Sequence, residues 1–369
     1  MRVLGFKAKN FRNIEECDIV FSSGVNLLVG NNAEGKTNCL EGIYMFSRGK
    51  SFRGAEDKFL IKNGEEGFYL SLDYEDKRGE ENLEYSLFGR TRQRKKNGYK
   101  LKSASEMIGS FHSVLFEPDN LGLVKEGPEV RRAFLNVAIS QINPEYIRIY
   151  SDFKTSLENR NAILKNAAKG LFYDEKELYE WSVRVAEYSS YIYLERKNYI
   201  EKLRVYAEER MREFSSGKET LTLGYKNNIK ISNTREDIKK EYIKILTENT
   251  EKEIRAATSL YGPQREDIEI YINGKEAKIF ASQGQQRSIV LSLKLAEGEV
   301  LREVYGEEPV YLFDDVLSEL DKERRRYLIE GMKDRQIIIT SCESDELVSH
   351  ADRVIRVENG RFLDVSSHR

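Results

Sequence analysis

Apolar and polar positions along this chain follow two periods, one at each end and another in the middle. Near the start, Val3-Leu4-Gly5-Phe6 and Cys17-Asp18-Ile19-Val20-Phe21 have strand character. Asn10-Phe11-Arg12-Asn13 between them is turn-like; it either carries Arg12 towards a ligand or leaves an ordinary exposed arginine. Val25, Leu27, Leu28 and Val29, bounded by Gly24 and Gly30, predict a short buried strand. From Thr37 to Arg48, Leu40, Ile43, Tyr44 and Phe46 predict a helix with one apolar stripe. Residues 66–105 predict a β-meander: Gly67 to Tyr74 alternates, Leu83 to Phe88 does so again, and Asn97-Gly98 signals a tight hairpin turn.

The middle of the chain shifts to helical spacing. A helix is predicted from Pro128, and another from Pro144, capped by Asn143, up to Gly170. A longer one spans Asp174 to Phe214 with a seam of Leu178, Trp181, Val185, Tyr188, Ile192, Tyr199, Leu203 and Tyr206. The short glycine-containing link between them predicts an antiparallel helical hairpin. A strand around Leu221, Leu223 and Tyr225 and a polar helix from Thr234 to Ala257 complete this region. Strands return at Ile268–Ile272, after an Asn273-Gly274 turn at Ala277–Phe280, and later at Val310–Phe313 and Ile337–Thr340. An apolar helix lies between, with Ile289, Val290, Leu293, Leu295 and Val300. The expected fold is α/β, with a head built from residues 1–126 and 258–369 and a helical lobe inserted at 127–257.

Composition narrows the class only a little. The 369 residues carry a net charge of −2, so any nucleic-acid-binding surface has to be a local basic patch. Charged residues make up 33%, in keeping with long polar helices. Cys17, Cys39 and Cys342 are too scattered for a disulfide framework or C-x-x-C metal spacing. With no secretory h-region and no apolar run near eighteen residues, the expectation is a soluble cytoplasmic protein away from membranes.

The chemistry concentrates in a few stretches. Gly30-Asn31-Asn32-Ala33-Glu34-Gly35-Lys36-Thr37 fits G-x-x-x-x-G-K-[ST], in the strand–loop–helix setting that the phosphate-binding loop of nucleoside triphosphatases requires. The two glycines let successive N–H groups face an anion, and the helix dipole adds to the attraction. Lys36 is then the partner of the β/γ-phosphates of ATP, and Thr37 a ligand of Mg²⁺. Asp314 and Asp315 end an apolar strand; Asp314 is a candidate to hold Mg²⁺ through water, and Asp315 to orient or deprotonate attacking water. Ser282-Gln283-Gly284-Gln285-Gln286-Arg287 opens a helix, as a capping box or as a second anion site. Arg90, Arg92, Arg94 and Lys96 alternate along one strand of a stretch without acids; they form a phosphate track for DNA or guard a sheet edge.

Taken in order, Gly30–Thr37, Ser282–Arg287, Asp314-Asp315 and Ser318–Asp321 resemble the Walker A, signature, Walker B and D-loop motifs of ABC-type ATPases. The helical insertion before the signature is similar to that of SMC-like repair ATPases. FRNIEE, PDNLGLVKEGPEVRRAFLN, GPQRED, FASQGQQR and LFDDVLSELD narrow the resemblance to the RecF family over nearly the whole chain. That resemblance implies an ABC-type head with ATP and Mg²⁺ as cofactors, held by Gly30–Thr37, Arg12 and Asp314. It also implies contacts from Ser282, Gly284 and Asp321 across an ATP-dependent homodimer. The implied function is binding of gapped or junction single- and double-stranded DNA and loading of RecA, with RecR as partner and RecO alongside. A transporter-energising subunit and a small-molecule P-loop kinase are the rivals; the long insertion counts against the first, and the signature and D-loop against the second. Asn120 and Glu266 depart from the family's usual residues. Asp315 is shorter than the usual glutamate and no histidine follows Ile337–Ile339, which implies slow hydrolysis.

Overall fold

The computed structural model describes residues 1–227, 229, 234–316, 325, 328, 332, 334–342 and 348–365. Strands β1 (Arg2–Phe11), β2 (Ile14–Val20) and β3 (Val25–Val29) open the chain, and a loop leads into helix α1 (Lys36–Arg48). The meander follows as β4 (Gly67–Asp76), β5 (Gly79–Phe88), β6 (Thr91–Lys96) and β7 (Tyr99–Lys100), then α2 (Ala104–Met107) and β8 (Ser113–Phe116). Helices α3 (Gly122–Lys125), α4 (Pro128–Ile142), α5 (Glu145–Ala168) and α6 (Glu175–Phe214) come next. After them lie β9 (Leu221–Lys226), α7 (Arg235–Glu248), α8 (Thr250–Ala256), β10 (Asp267–Ile272), β11 (Lys275–Glu276) and α9 (Ala277–Phe280). The chain continues through α10 (Gln283–Tyr305), β12 (Val310–Asp314), β13 (Ile337–Ser341), β14 (Arg353–Glu358) and β15 (Arg361–Asp364).

The first of two compact units comprises Met1–Leu121, Glu209–Lys218 and Ser282–Arg369. It holds an antiparallel sheet ordered β2-β1-β4-β5-β6-β7 and a second sheet ordered β15-β14-β3-β13-β12-β8. In the second sheet, β14, β3, β13, β12 and β8 run parallel and β15 antiparallel. β12 and β13 are buried at every position, which is why their sequences are continuous apolar runs rather than alternating ones. The antiparallel sheet alternates instead, turning Phe6, Phe68, Leu70, Leu72, Tyr74, Leu83 and Tyr85 into a core shared with Leu40, Ile43, Met45 and Phe46 of α1. α1 lies close to β1: a Cβ on Gly42 would stand 2.5 Å from the Phe6 ring. One consequence matters for function. The carboxyl ends of β3, β13, β12 and β8 share one edge, where ligands of open parallel sheets bind.

The second unit comprises Gly122–Glu208 and Glu219–Ala281. Its boundaries differ from those expected at three places, the first being residues 122–126, which were expected in the head. Residues 258–281, expected in the head, cluster here because β10 pairs with β9 from Asp267↔Lys226 to Ile272↔Leu221. The last turns of α6 cluster with the first unit, where Arg210 pairs with Glu299 at 3.1 Å. The predicted helix from Thr234 to Ala257 breaks at Asn249, whose side chain bonds the Ile245 carbonyl at 2.8 Å. Ala277–Phe280 form one helical turn instead of a strand, with Ile279 and Phe280 exposed and only Ala277 inside.

The helical hairpin appears as α5 and α6, linked by hydrogen bonding from Arg160 to Ser182 at 2.9 Å. Its interior is more polar than the seam suggested, because Ser182, Ser189 and Arg196 are buried beside Val185, Ile192 and Leu203. Arg160 and Glu253 pair at 2.7 Å with both side chains fully buried, joining α5 to α8. Glu266 of the GPQRED stretch is likewise enclosed: it accepts from Arg196 at 3.3 Å, from the Tyr242 hydroxyl at 2.6 Å and from that of Tyr225. That motif therefore braces the lobe. Glu266→Leu leaves a buried guanidinium unpaired and should cost about 3–5 kcal/mol of stability. Urea unfolding checks this; a loss below about 1 kcal/mol would contradict it.

Candidate nucleotide-binding site

The site starts where β3 runs out. At Gly30 an added Cβ would lie 2.2 Å from the Val357 carbonyl oxygen, so only glycine lets the chain turn there. Ala33 and Gly35 adopt left-handed φ of 67° and 115°, and Gly35 caps α1. Among the described residues, none of the backbone N–H groups of residues 31–36 donates a hydrogen bond. A run of unspent donors ahead of a thirteen-residue helix suits a phosphate chain. The loop is braced from outside by groups the sequence reading did not single out. The Asn13 amide donates to the Ala33 carbonyl at 2.9 Å, and the Gly360 N–H to the Glu34 carbonyl at 2.9 Å. Asn13 lies in the FRNIEE stretch, but only tertiary structure reveals that it touches the loop.

Lys36 is only 6% exposed. Its ammonium donates to the carbonyls of Gly30 and Asn31, each at 2.7 Å, and lies 3.5 Å from the Cys342 sulfur. Cys342 in turn bonds the Asn32 side chain at 2.8 Å. Thr37 Oγ1 and Thr340 Oγ1 both donate to Asp314 Oδ1, each at 2.8 Å, and Thr340 also accepts from the Asp315 N–H at 3.0 Å. Burial pushes the Asp314 carboxyl above its ordinary range, opposed by the hydrogen bonds from Thr37 and Thr340. A hydroxyl beside a buried carboxylate fits Mg²⁺. Thr37 and Asp314 would hold such an ion, with phosphate oxygens and water supplying the remaining ligands. Glu117, at the end of β8, also belongs to this edge of the sheet; burial pushes its carboxyl up to about 7, and Asn120 donates to it at 3.3 Å.

The structure thus brings together Gly30–Thr37, Asp314 and Asp315. It places other candidates elsewhere. Arg12 grips Glu41 with two bonds of 2.8 and 3.0 Å and the Phe59 carbonyl at 3.2 Å, so its guanidinium anchors α1 rather than facing the loop. Glu41 is fully buried, which makes it the stronger claimant on that charge. Ser282 caps α10 in a reciprocal capping box with Gln285; it is exposed, and no hydrogen bond or ion pair joins Ser282 or Gly284 to the loop among the described residues. Asp321, with Ser318–Leu320, lies outside the described residues.

The phosphate track receives no support. Arg92, Arg94 and Lys96 stand opposite buried Leu87, Tyr85 and Leu83 on β5. Arg92 pairs with Asp57 at 2.6 Å, Arg94 stacks on Tyr85 at 4.8 Å, and Lys96 meets Glu81 at 3.5 Å. Their stems cover the edge of the core and their charges are spoken for. Arg90 alone of the four makes neither an ion pair nor a ring contact among the described residues.

Cysteine chemistry can test the loop. Burial pushes the Cys17 thiol up to about 12 and that of Cys39 well above its ordinary value, whereas Cys342 is exposed. A maleimide should therefore label the native protein at Cys342 alone, and saturating ATP should slow labelling at least about tenfold. Labelling that ATP leaves unchanged would contradict the placement of phosphates beside Lys36.

Comparison with known proteins agrees with this geometry. A family described as the RecF/RecN/SMC N terminal domain matches residues 3–362. The DNA replication and repair protein RecF of Clostridium perfringens (strain SM101 / Type A) is 36% identical over 369 residues, covering 98% of this chain and 99% of the relative. That of Clostridioides difficile (strain 630) is 35% identical over 377 residues, covering 100% and 99%. A solved structure of the recombination mediator protein RecF-ATP in the RecFOR pathway superposes with a TM-score of 0.91 at 34% identity, covering 99% of this chain and 98% of the other. An SMC head bound to the C-winged helix domain of ScpA, with a TM-score of 0.56 at 17% identity, shares the fold. A family match over residues 3–362, relatives 35% and 36% identical along almost their whole length and a closely superposing ABC-type head mean that the chain belongs to the RecF family of DNA replication and repair proteins.

Proposed function

We propose that this protein is an ATP-operated recombination mediator that binds single- and double-stranded DNA at gaps or junctions and helps load RecA. It would act with RecR, and with RecO in the same pathway, in repair, replication restart and SOS induction. The observation that carries the reading is the Lys36–Thr37–Asp314 constellation in a chain matching a RecF-ATP structure over 99% of its length. Membership of the family sets aside the transporter subunit and the small-molecule kinase.

On this reading ATP and Mg²⁺ act as a switch. Lys36 and the free loop N–H groups bind the phosphates, and Thr37 and Asp314 hold the cation. Ser282 is exposed at the start of α10 and spends its hydroxyl on a cap, leaving the helix start to meet the γ-phosphate of a second copy. One loop and one signature per chain then require a two-fold pair to complete two sites. Hydrolysis is slow, because Asp315 is a short carboxylate on a left-handed backbone with φ of 52°, and Ser341 at the end of β13 and Cys342 after it stand in place of a histidine. Asp321 would add a contact across the same interface. Arg90 is the one member of the basic row left to meet a DNA phosphate.

Light scattering and gapped-duplex binding test the switch together. Mg-ATP should convert monomers to dimers and raise DNA affinity, and ADP should do neither. Asp315→Asn, which keeps shape and loses basicity, should accumulate the DNA-bound dimer. A wild type that stays monomeric at micromolar concentration with both ATP and DNA would overturn this mechanism.

A further inference from the structure

β13 lies between β3, which feeds the phosphate loop, and β12, which ends in the two aspartates. In register, Thr340 faces Asp314 on one side and Leu28 on the other. Its side chain is 1% exposed, and a hydroxyl has one proton to give and lone pairs to receive. Thr340 uses both: the proton goes to Asp314 Oδ1 at 2.8 Å, and the oxygen accepts from the Asp315 N–H at 3.0 Å. Asp315 needs such a hold, because a left-handed φ of 52° is disfavoured for any residue with a Cβ. Asp314 needs it for another reason. Its Oδ1 is bonded by Thr37 and Thr340, while its Oδ2 has no hydrogen-bond donor among the described residues. Once Thr37 turns to a cation, Thr340 is the donor that remains to keep the carboxylate in plane.

We propose that Thr340 is a positioning residue of the nucleotide site, whose one hydroxyl fixes the Asp314 carboxylate for the cation and the Asp315 backbone for the attacking water. The inference rests on the ATP reading above and deepens it. Threonine suits the task better than serine, because its branched Cβ confines χ1 and keeps the hydroxyl aimed. A purely structural hydroxyl would instead weaken the protein without distinguishing metal-bound from metal-free nucleotide.

Binding of a fluorescent ATP analogue, with Mg²⁺ and with EDTA, separates the cases alongside turnover. Thr340→Val is close in shape and lacks the hydroxyl. It should bind metal-free nucleotide within about threefold of wild type, lose roughly tenfold or more of the affinity that Mg²⁺ adds, and drop turnover at least about tenfold. Thr340→Ser should recover both to within about threefold. Should the valine variant fail a circular-dichroism fold check, Thr340→Ala supplies the same hydroxyl-free comparison. A hydroxyl-free variant with the wild-type Mg²⁺ response and turnover would overturn the proposal, as would equal weakening with and without metal. A wild type whose nucleotide binding ignores Mg²⁺ would overturn the ATP reading itself, and this inference with it.

Discussion

One buried carboxylate organises the site. Asp314 is 7% exposed, and its Oδ1 receives hydroxyls from the helix after β3 and from the strand β13. Burying an acid among apolar strands is costly unless donors surround it. Those two hydroxyls meet that cost and tie three neighbouring strand ends into one unit. Displace any of them and Thr37, Asp315 and the loop lose their common reference.

The surroundings follow from the same constraint. A parallel sheet buried on both faces offers its backbone ends as the polar edge, and here the loop, the aspartates and Glu117 all gather on it. Gly30 is required where the chain passes the Val357 carbonyl, and Gly42 where α1 meets Phe6. The lobe solves a different problem with charges. Arg160–Glu253 and Arg196–Glu266 are enclosed pairs that select one arrangement of helices, since an unpaired partner in that interior is strongly disfavoured.

Much of this could be read from the residues in order. The phosphate loop, the aspartates after an apolar strand and the Ser282 cap are local patterns, each decided by a few neighbouring residues. The tight turns are equally local: Asn97-Gly98 and Asn273-Gly274 both show the positive φ their sequence foretells. What escaped the sequence depends on partners distant along the chain. Arg12 is claimed by Glu41, and Arg92 by Asp57. Period-two spacing correctly placed Arg92, Arg94 and Lys96 on one face, but could not say that the face was the core side of β5. The lobe boundary moved because β10 found its partner in β9, a pairing with no local signature.

Everything functional rests on Lys36, whose ammonium lies amid the loop's carbonyls and unspent N–H groups. Calorimetric titration with Mg-ATP of the wild type and Lys36→Met tests this most directly, with circular dichroism and thermal melting to check the fold. The wild type should bind, and the variant, folded and equally stable, should lose about a hundredfold in affinity or more, as expected for the loss of charge-assisted bonds to phosphate. A folded Lys36→Met protein that binds Mg-ATP as tightly as the wild type would contradict the account.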